Sequence, residues 1–268
     1  MKGTRKVDVV EVNTKKHMVY TLDTAGNIAE VRYYYNNINC GKGVYIYENG
    51  RLVNHKSYRS YTYKRNPDYS GFRWDSTVLT MEENYDYENG RIRTYRIYMD
   101  DRHIISKQID YSYSNDGSLK KEEITEYPTP TQSDELDDNP VDTTLKPEPV
   151  HRRRVFEYDK NTTEIQWYNK DKLAATEKVL SLGNNIVSRT ILNAHKKKVK
   201  QFDYSYTAAG LCSDVKIVDS GLDGFGDDDS PVLKDKETYE YDTENRLVSK
   251  KSFLKDKVVT ESRYIYSR

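Results

Sequence analysis

The sequence is poor in the residues on which several common protein classes depend. Its 268 residues include two cysteines, Cys40 and Cys212, too few for a disulfide framework or a structural zinc site. We therefore expect both to be thiols. No apolar run reaches the length that spans a membrane, so no membrane span is expected. Basic and acidic residues each number 43. Without a basic excess, we expect no nucleic-acid partner.

The sequence also lacks the common signatures of catalysis and of cofactor binding. It contains no nucleophile elbow, no phosphate-binding loop and no dinucleotide fingerprint. No motif pairs two carboxylates for acid–base chemistry. The five histidines are scattered without metal-ligand spacing: His17, His55, His103, His151 and His195. We therefore expect a protein that is not an enzyme and needs no cofactor.

The beginning of the sequence does not read as a signal peptide, because charges interrupt every apolar stretch between Met1 and Val12. The compartment stays open at this point. The protein is cytoplasmic, or it is extracellular or at the cell surface if a signal peptide was removed.

Tyrosine is abundant, with 25 residues against five phenylalanines and two tryptophans. Hydrophobic residues make up 35% of the chain and charged residues 32%. A tyrosine ring can pack on a sheet while its hydroxyl reaches water. This composition predicts thin cores and broad, half-hydrated sheet faces.

The tyrosines recur in one short sequence motif, which we call the phrase and which is clearest at Tyr239–Leu247. Tyr239 and Tyr241 are two residues apart and therefore share one face of a strand. Residues 242–245 have turn chemistry, and Leu247 begins a second strand. Similar strings begin at Tyr20, Val44, Tyr85, Tyr111, Phe156 and Tyr204. Glycine or asparagine stands where the chain reverses, because these residues tolerate positive φ. The clear copies lie at multiples of about 24 residues, as in a repeat array.

These strings resemble the YD repeat of the Rhs family, whose core phrase is Tyr-x-Tyr-Asp-x-x-Gly-x-Leu. The matching positions are Tyr239, Tyr241, Asp242, Asn245 and Leu247, and, less completely, Tyr111, Tyr113, Gly117 and Leu119. The resemblance implies β-hairpins laid edge to edge in a spiralling sheet. In large members this sheet closes as a shell around a toxin domain. Here the repeats are too few for us to expect a closed shell, and no toxin domain follows them.

The pattern predicts an all-β fold of serial antiparallel β-hairpins in one large twisted sheet, open or curled. We expect a hairpin array over residues 1–126 and a second over 151–268, continuous with the first. Residues 127–150 contain five prolines and a run of acids, which predicts a flexible, dispensable insertion. The basic run Arg152–Arg154 after it is interpreted as solvated. No sustained helical stripe occurs.

Candidate binding residues follow from the excess of tyrosine over what a thin core can hide. Some rings must stand on the surface of the sheet, and rigid rings bind with little loss of entropy. The insertion at residues 64–75 either forms a binding tip or packs back on the sheet. The candidates are Tyr33, Tyr35, Tyr61, Tyr63, Phe72, Trp74, Tyr264 and Tyr266.

A weak calcium candidate lies in the acidic loop after Asp219. Asp223, Asp227 and Asp228 with the intervening glycines faintly echo a calcium-binding repeat. This match to the calcium-binding repeat occurs once, and the residues that follow it do not fit the repeat. A solvated acidic loop is therefore the favoured interpretation.

Two kinds of partner remain. The first is a protein partner, bound through a sheet face or edge, as for an accessory or immunity-like protein of a toxin system. The second is a surface glycan, bound by exposed rings in a carbohydrate-binding or adhesion module.

Overall fold

The computed structural model describes residues 5–12, 14–60, 77–99, 104–128, 148–219 and 234–267. Every regular element within these ranges is a β-strand. The strands are β1 Lys6–Val12, β2 Lys16–Leu22, β3 Ile28–Tyr35, β4 Ile38–Glu48, β5 Arg51–Ser60, β6 Thr77–Glu88, β7 Arg91–Met99, β8 Ile104–Tyr113, β9 Leu119–Glu126, β10 Val150–Asp159, β11 Thr162–Asn169, β12 Lys172–Leu182, β13 Asn185–Asn193, β14 Lys198–Tyr206, β15 Cys212–Asp219, β16 Lys236–Tyr241, β17 Leu247–Leu254 and β18 Lys257–Ser267. The predicted all-β class is confirmed.

The strands form one closed antiparallel barrel. Each strand pairs with the next along the chain, and β1 pairs also with β18, from Lys6 opposite Ser267 to Val12 opposite Glu261. Across the insertion, β9 and β10 pair directly, with Val150 opposite Glu126. The expectation of an open or curled sheet that does not close is therefore wrong. The twist and stagger of 18 strands bring the first strand to the last, and pairing them removes two edges of unpaired backbone groups.

The turns of the phrase take two forms. The longer form has five residues, as in Asp242–Arg246, where the Asp242 N–H donates to the Arg246 carbonyl at 2.9 Å. The Asn245 N–H returns to the Asp242 carbonyl at 3.0 Å, with φ of Asn245 at 60°. The short form, Asn49-Gly50 and Asn89-Gly90, has positive φ at both residues. Both forms demand a left-handed residue, which is why glycine or asparagine recurs there.

The core is thin. Val31, only 1% exposed, is the most deeply buried apolar residue of the described chain. It lies opposite Tyr20 on β2. Further round the barrel, Ile109 lies between Tyr95 and Ile124. The two cysteines form no disulfide. Small aliphatic residues packed beneath tyrosine rings thus form most of the apolar contact on this face.

Of the predicted flexible insertion, residues 127–150, only the ends are described: the Tyr127 N–H donates to the Ser106 carbonyl at 2.8 Å, and Val150 begins β10. Residues 129–147 lie outside the described residues. The predicted mobility of the insertion therefore stays a prediction.

Candidate functional site

In five copies of the phrase, the second tyrosine joins a hairpin to the one before it. Its hydroxyl donates to the backbone carbonyl at the aliphatic position of the preceding hairpin, the residue that follows the turn. We call this contact the tyrosine latch. Five latches occur: Tyr87 to Leu52 at 2.9 Å, Tyr113 to Ile92 at 2.8 Å, Tyr206 to Ile186 at 2.6 Å, Tyr241 to Cys212 at 2.9 Å and Tyr266 to Leu247 at 2.8 Å.

The basic residue before the aliphatic position covers the same ring. The Arg91 guanidinium lies 5.5 Å from the centroid of Tyr113, and Arg246 lies 4.9 Å from that of Tyr266. A Cβ atom at Gly117 would lie 1.9 Å from Arg91 Nη2, so this turn glycine also makes room for the arginine. The second tyrosine, the basic residue and the turn glycine of the phrase therefore all contribute to contacts between successive hairpins.

The tyrosines of the phrase face the interior of the barrel. Residues of seven consecutive strands, β8 to β14, line one cavity of about 510 Å³, which is possible only on the concave side. Trp167 in this cavity lies opposite Arg154, and Arg154 lies opposite Glu122. Glu122 in turn lies opposite Tyr111. Because directly opposed residues share a face, the phrase tyrosines line the interior.

Burial keeps the interior phenols neutral. It raises the pKa of Tyr45, Tyr85 and Tyr111 to about 12. At neutral pH these side chains therefore act as rings and as neutral hydrogen-bonding groups.

The structure brings together half of the predicted binding residues. Tyr264 lies opposite Val9, Val9 opposite Met18, and Met18 opposite Tyr33. Tyr33 and Tyr264 thus share the interior face across four neighbouring strands. Tyr33 and Tyr35 are 37% and 50% exposed. Tyr266 is on the same face, but its hydroxyl forms a latch.

The other predicted residues lie outside the described ranges. They are Tyr61, Tyr63, Phe72 and Trp74 of the first insertion, and Asp223, Asp227 and Asp228 of the acidic loop. Elsewhere in the described chain, no group of three or more potential ligands could hold a metal ion.

A histidine network lies on β5 and β6. The Glu83 carboxylate is hydrogen-bonded to His55 Nδ1 and accepts the Tyr95 hydroxyl. Ser57 Oγ lies 3.5 Å from His55 Nε2. Burial raises the pKa of Glu83, but the His55 and Tyr95 hydrogen bonds outweigh it and lower this pKa. A Cβ atom at Gly43 would lie 2.8 Å from His55 Nε2, so glycine makes room for the ring.

The order serine, histidine, glutamate is that of a hydrolase triad, but the surroundings differ. The backbone of β5 is paired with β4 and with β6 around these residues. An oxyanion site needs free N–H donors near the hydroxyl. The pairing of β5 with β6 is regular on either side of this hydroxyl and shifts register between Ser57 and Tyr58. The hydrogen bonds of the network join β5, β6 and β7 through His55, Glu83 and Tyr95.

A second buried carboxylate, Glu237 on β16, is held by four donors, one of which is the Ser252 hydroxyl at 3.4 Å from Oε1. Lys234 Nζ and Lys250 Nζ lie 3.0 Å from its Oε1, and the Tyr239 hydroxyl donates at 2.8 Å. Burial raises the pKa of Glu237, but these hydrogen bonds and the Lys250 charge outweigh it and bring the pKa to about 2.

This carboxylate should make the free energy of unfolding depend on pH in the acidic range. Its folded pKa of about 2 lies below the ordinary 4.5, so its contribution is complete above pH 4.5 and lost as the pH falls toward 2. A shift of this size corresponds to about 3 kcal/mol of unfolding free energy. Urea titrations from pH 5 to 2 should show a shallower pH dependence in Glu237→Gln. Glu240→Gln, in an exposed pair with Lys251, is the control. An unchanged slope in Glu237→Gln would contradict the assignment.

The cavity between β8 and β14 is rich in cations. Five of its interior side chains are basic: Lys107, Arg152, Arg154, Arg189 and Lys200. Together with the rings of Trp167 and Phe202, they form what we call the basic cleft. Arg154 lies 3.8 Å from the centroid of Trp167, and Arg189 lies 5.2 Å from that of Phe202. Each ring therefore orients a guanidinium group within the cleft.

Carboxylates neutralise the basic cleft only in part. Glu126 serves two cations, Arg152 at 3.4 Å and Lys107 at 3.8 Å. Glu122 lies 3.2 Å from Arg154. The remaining contacts join Glu177 to Arg189 at 2.5 Å and Asp219 to Lys200 at 3.8 Å. Among the described residues, five cations of the cleft thus face four carboxylates.

Sequence reasoning missed this cleft. The interpretation of Arg152–Arg154 as a solvated run is wrong for Arg152 and Arg154, which pair with carboxylates in the cleft. Strand alternation through 152–154 was the available signal, because it places the first and third residues on one face.

No family model matches the chain, and no curated protein matches it. Solved structures are similar at low levels, and they include the following three. "Crystal Structure of TcdB2-TccC3-Cdc42" is 13% identical with a TM-score of 0.41, over 94% of this chain and 13% of that one. A porin-like protein from Bacteroides uniformis is 9% identical with a TM-score of 0.40, over 99% and 97% of the two chains. A porin-like protein from Bacteroides vulgatus is 9% identical with a TM-score of 0.41, over 98% of each.

The chain therefore spans only about an eighth of the length of the first of these proteins. Likeness at these levels assigns neither a family nor an activity to it. Across the described strands and turns, no helix is long and apolar enough to cross a membrane.

Proposed function

We propose that this chain is a non-enzymatic binding module of the YD-repeat type and that it binds a glycan inside its barrel. The observation that carries the proposal is the inward orientation of the tyrosine rings. Eighteen strands enclose more space than their side chains fill. A lumen lined by rings and charged groups can therefore receive an extended polar chain.

Binding of a protein partner by the outside of the barrel has less support. Strand addition requires an unpaired edge, and each described strand has two neighbours. Of the tyrosines expected to form a docking face, Tyr33, Tyr264 and Tyr266 point inward, and Tyr61 and Tyr63 lie outside the described residues. Exposed aliphatic residues are spread over several strands. Ile46 and Val218 stand singly, and small groups lie at the β12–β13 hairpin (Leu180, Leu182 and Ile186) and on β18 (Val258, Val259 and Ile265). Scattered apolar residues of this kind are ordinary for a protein surface.

The interior chemistry suits a saccharide. Flat rings contact the C–H faces of sugars, while carboxylates and guanidinium groups bond their hydroxyls. Tyr33 and Tyr35 offer exposed ring surface. Burial raises the pKa of Tyr33 and of Tyr264, and Glu83 lies close enough to Tyr33, and Glu237 to Tyr264, for the carboxylate charge to help raise the pKa of each phenol. The turns at one end of the barrel have at most five residues, from 23–27 to 242–246. A chain can enter at that end without passing a long loop.

The relation to the YD repeat is part of the same proposal. It is supported by the structural roles of the phrase, since its second tyrosine, its turn glycine and its aliphatic position all act in the latch.

The test is a glycan array followed by calorimetric titration with the best ligand. Tyr33→Ala combined with Tyr264→Ala should weaken binding at least tenfold, while the melting temperature shows that the fold persists. Tyr58→Ala is the control, because Tyr58 lies opposite Lys42 on the outer face. Absence of any bound glycan, together with capture of a peptide by the same interior rings, would replace the proposal with protein binding.

A further inference from the structure

The basic cleft brings together five cations and two aromatic rings in one cavity. We infer that it binds the carboxylate of an acidic sugar, so that the glycan of the proposed function, on which this inference rests, contains a uronic acid residue. Three features of the cleft carry this inference: its incomplete neutralisation, the fixed planes of its guanidinium groups and its size.

The first feature is the sharing of Glu126 by two cations. Arg152 contacts both oxygens of this carboxylate, with Nη1 3.5 Å from Oε1 and Nη2 3.4 Å from Oε2, and Lys107 Nζ lies 3.8 Å from the same Oε1. One carboxylate is therefore shared by two cations, and the contact with Lys107 is longer than a short ion pair. A second carboxylate between Lys107 and Arg152 would complete the pairing of charges within the cleft.

The second feature is the preorganised Arg154. Its guanidinium lies over Trp167 at 3.8 Å and bonds Glu122 through Nη1 at 3.2 Å. Its Nε is buried and, among the described residues, has no hydrogen-bond partner. A planar guanidinium recognises a planar carboxylate in two-point contact. The stacking on Trp167 therefore fixes the plane of the guanidinium before a ligand binds.

The third feature is the size of the cavity. About 510 Å³ is enough for a small-molecule ligand and suits two or three sugar rings. Trp167 and Phe202 line the same space, so an occupant must offer an apolar surface beside its charge. A uronic acid does so with the C–H face of its ring, whereas an inorganic anion does not.

The experiment titrates the full chain with tetragalacturonic acid and with its methyl ester, which keeps the rings and removes the charges. We expect the acid to bind at least tenfold more tightly than the ester. Arg152→Gln should lose most of that difference, and Lys107→Gln, which alters only a loose contact, should lose part of it. Arg96→Gln, which removes an outer-face arginine paired with Asp86, should bind like the parent chain.

Equal binding of acid and ester would overturn the inference while leaving the proposed glycan function intact. Binding of hexaglutamate with the same dependence on Arg152 and the same affinity would also overturn it, in favour of an acidic peptide. If Arg152→Gln fails to fold, Lys107→Gln and the comparison of acid with ester still decide. Binding of neither saccharide, with neutral glycans bound through Tyr33, rejects the inference alone. Binding of no glycan at all rejects both.

Discussion

Removal of β18, residues 257–268, should abolish the cooperative thermal unfolding of the protein. β18 pairs on one side with β17 and on the other with β1. Its loss leaves two unpaired edges and removes the latch from Tyr266 to Leu247. Val7 and Val9, only 8% and 6% exposed, would lose their neighbours Tyr266 and Tyr264. Calorimetry should show a broad, weak transition, and size-exclusion chromatography should show association through the open edges.

A circular permutant is the matched control for this deletion. Residue 267 is joined to residue 5 by a short linker, and the chain is opened between Asn89 and Gly90. All 18 strands and their pairings are kept, so the melting temperature should stay within a few degrees of the parent value. A truncated chain that melts as sharply and at the same temperature as the parent would show that the β1–β18 seam does not contribute to stability.

Two substitutions of Tyr241 should distinguish what its ring and its hydroxyl each contribute to stability. Tyr241→Ala removes a part-buried aromatic ring and should cost on the order of 3 kcal/mol of unfolding free energy. Tyr241→Phe keeps the ring, removes the latch to the Cys212 carbonyl and should cost about 1 kcal/mol. Urea unfolding followed by circular dichroism measures both.

The control is Tyr58→Ala on the outer face, where the ring meets Lys42 at 5.3 Å. We expect a smaller loss than for Tyr241→Ala. If Tyr241→Phe were as stable as the parent chain, the latch would add nothing and the ring alone would explain the phrase.

The hairpins could be predicted from sequence because their causes are local. The phrase places two tyrosines on one face, and Asn89-Gly90 or Asp242–Asn245 reverses the chain through positive φ. Each step depends on residues within a few positions of one another. The result is the observed strand and turn order between β6 and β9 and between β16 and β17.

The closure of the barrel could not be predicted in this way. The alternation within Lys6–Val12 and within Lys257–Ser267 is the same whether these strands pair or stand at opposite edges. Only the accumulated twist and stagger of all the strands decides that Val9 meets Tyr264. The inward direction of the tyrosines follows from the way the closed sheet curves, so it could not be predicted from the sequence either.

The candidate site could be predicted only in part. The sequence identified Tyr33 and Tyr264 as candidate binding residues. That they share one face depends on the pairing of β1 with β18. The basic cleft joins Lys107 to Lys200 across seven strands, and no local pattern links residues so far apart.

The pairing of the first strand with the last has a kinetic consequence. The other strand pairs join neighbours in sequence, apart from those that flank an insertion, so they can form early with little loss of chain entropy. The contact between Lys6 and Ser267 spans almost the whole chain, and its loop must be closed before it adds any stability. Folding therefore passes through a nearly complete array with both outer strands bare. During that interval a second copy can take the place of the missing neighbour, so refolding at high concentration favours strand-exchanged oligomers over the monomer.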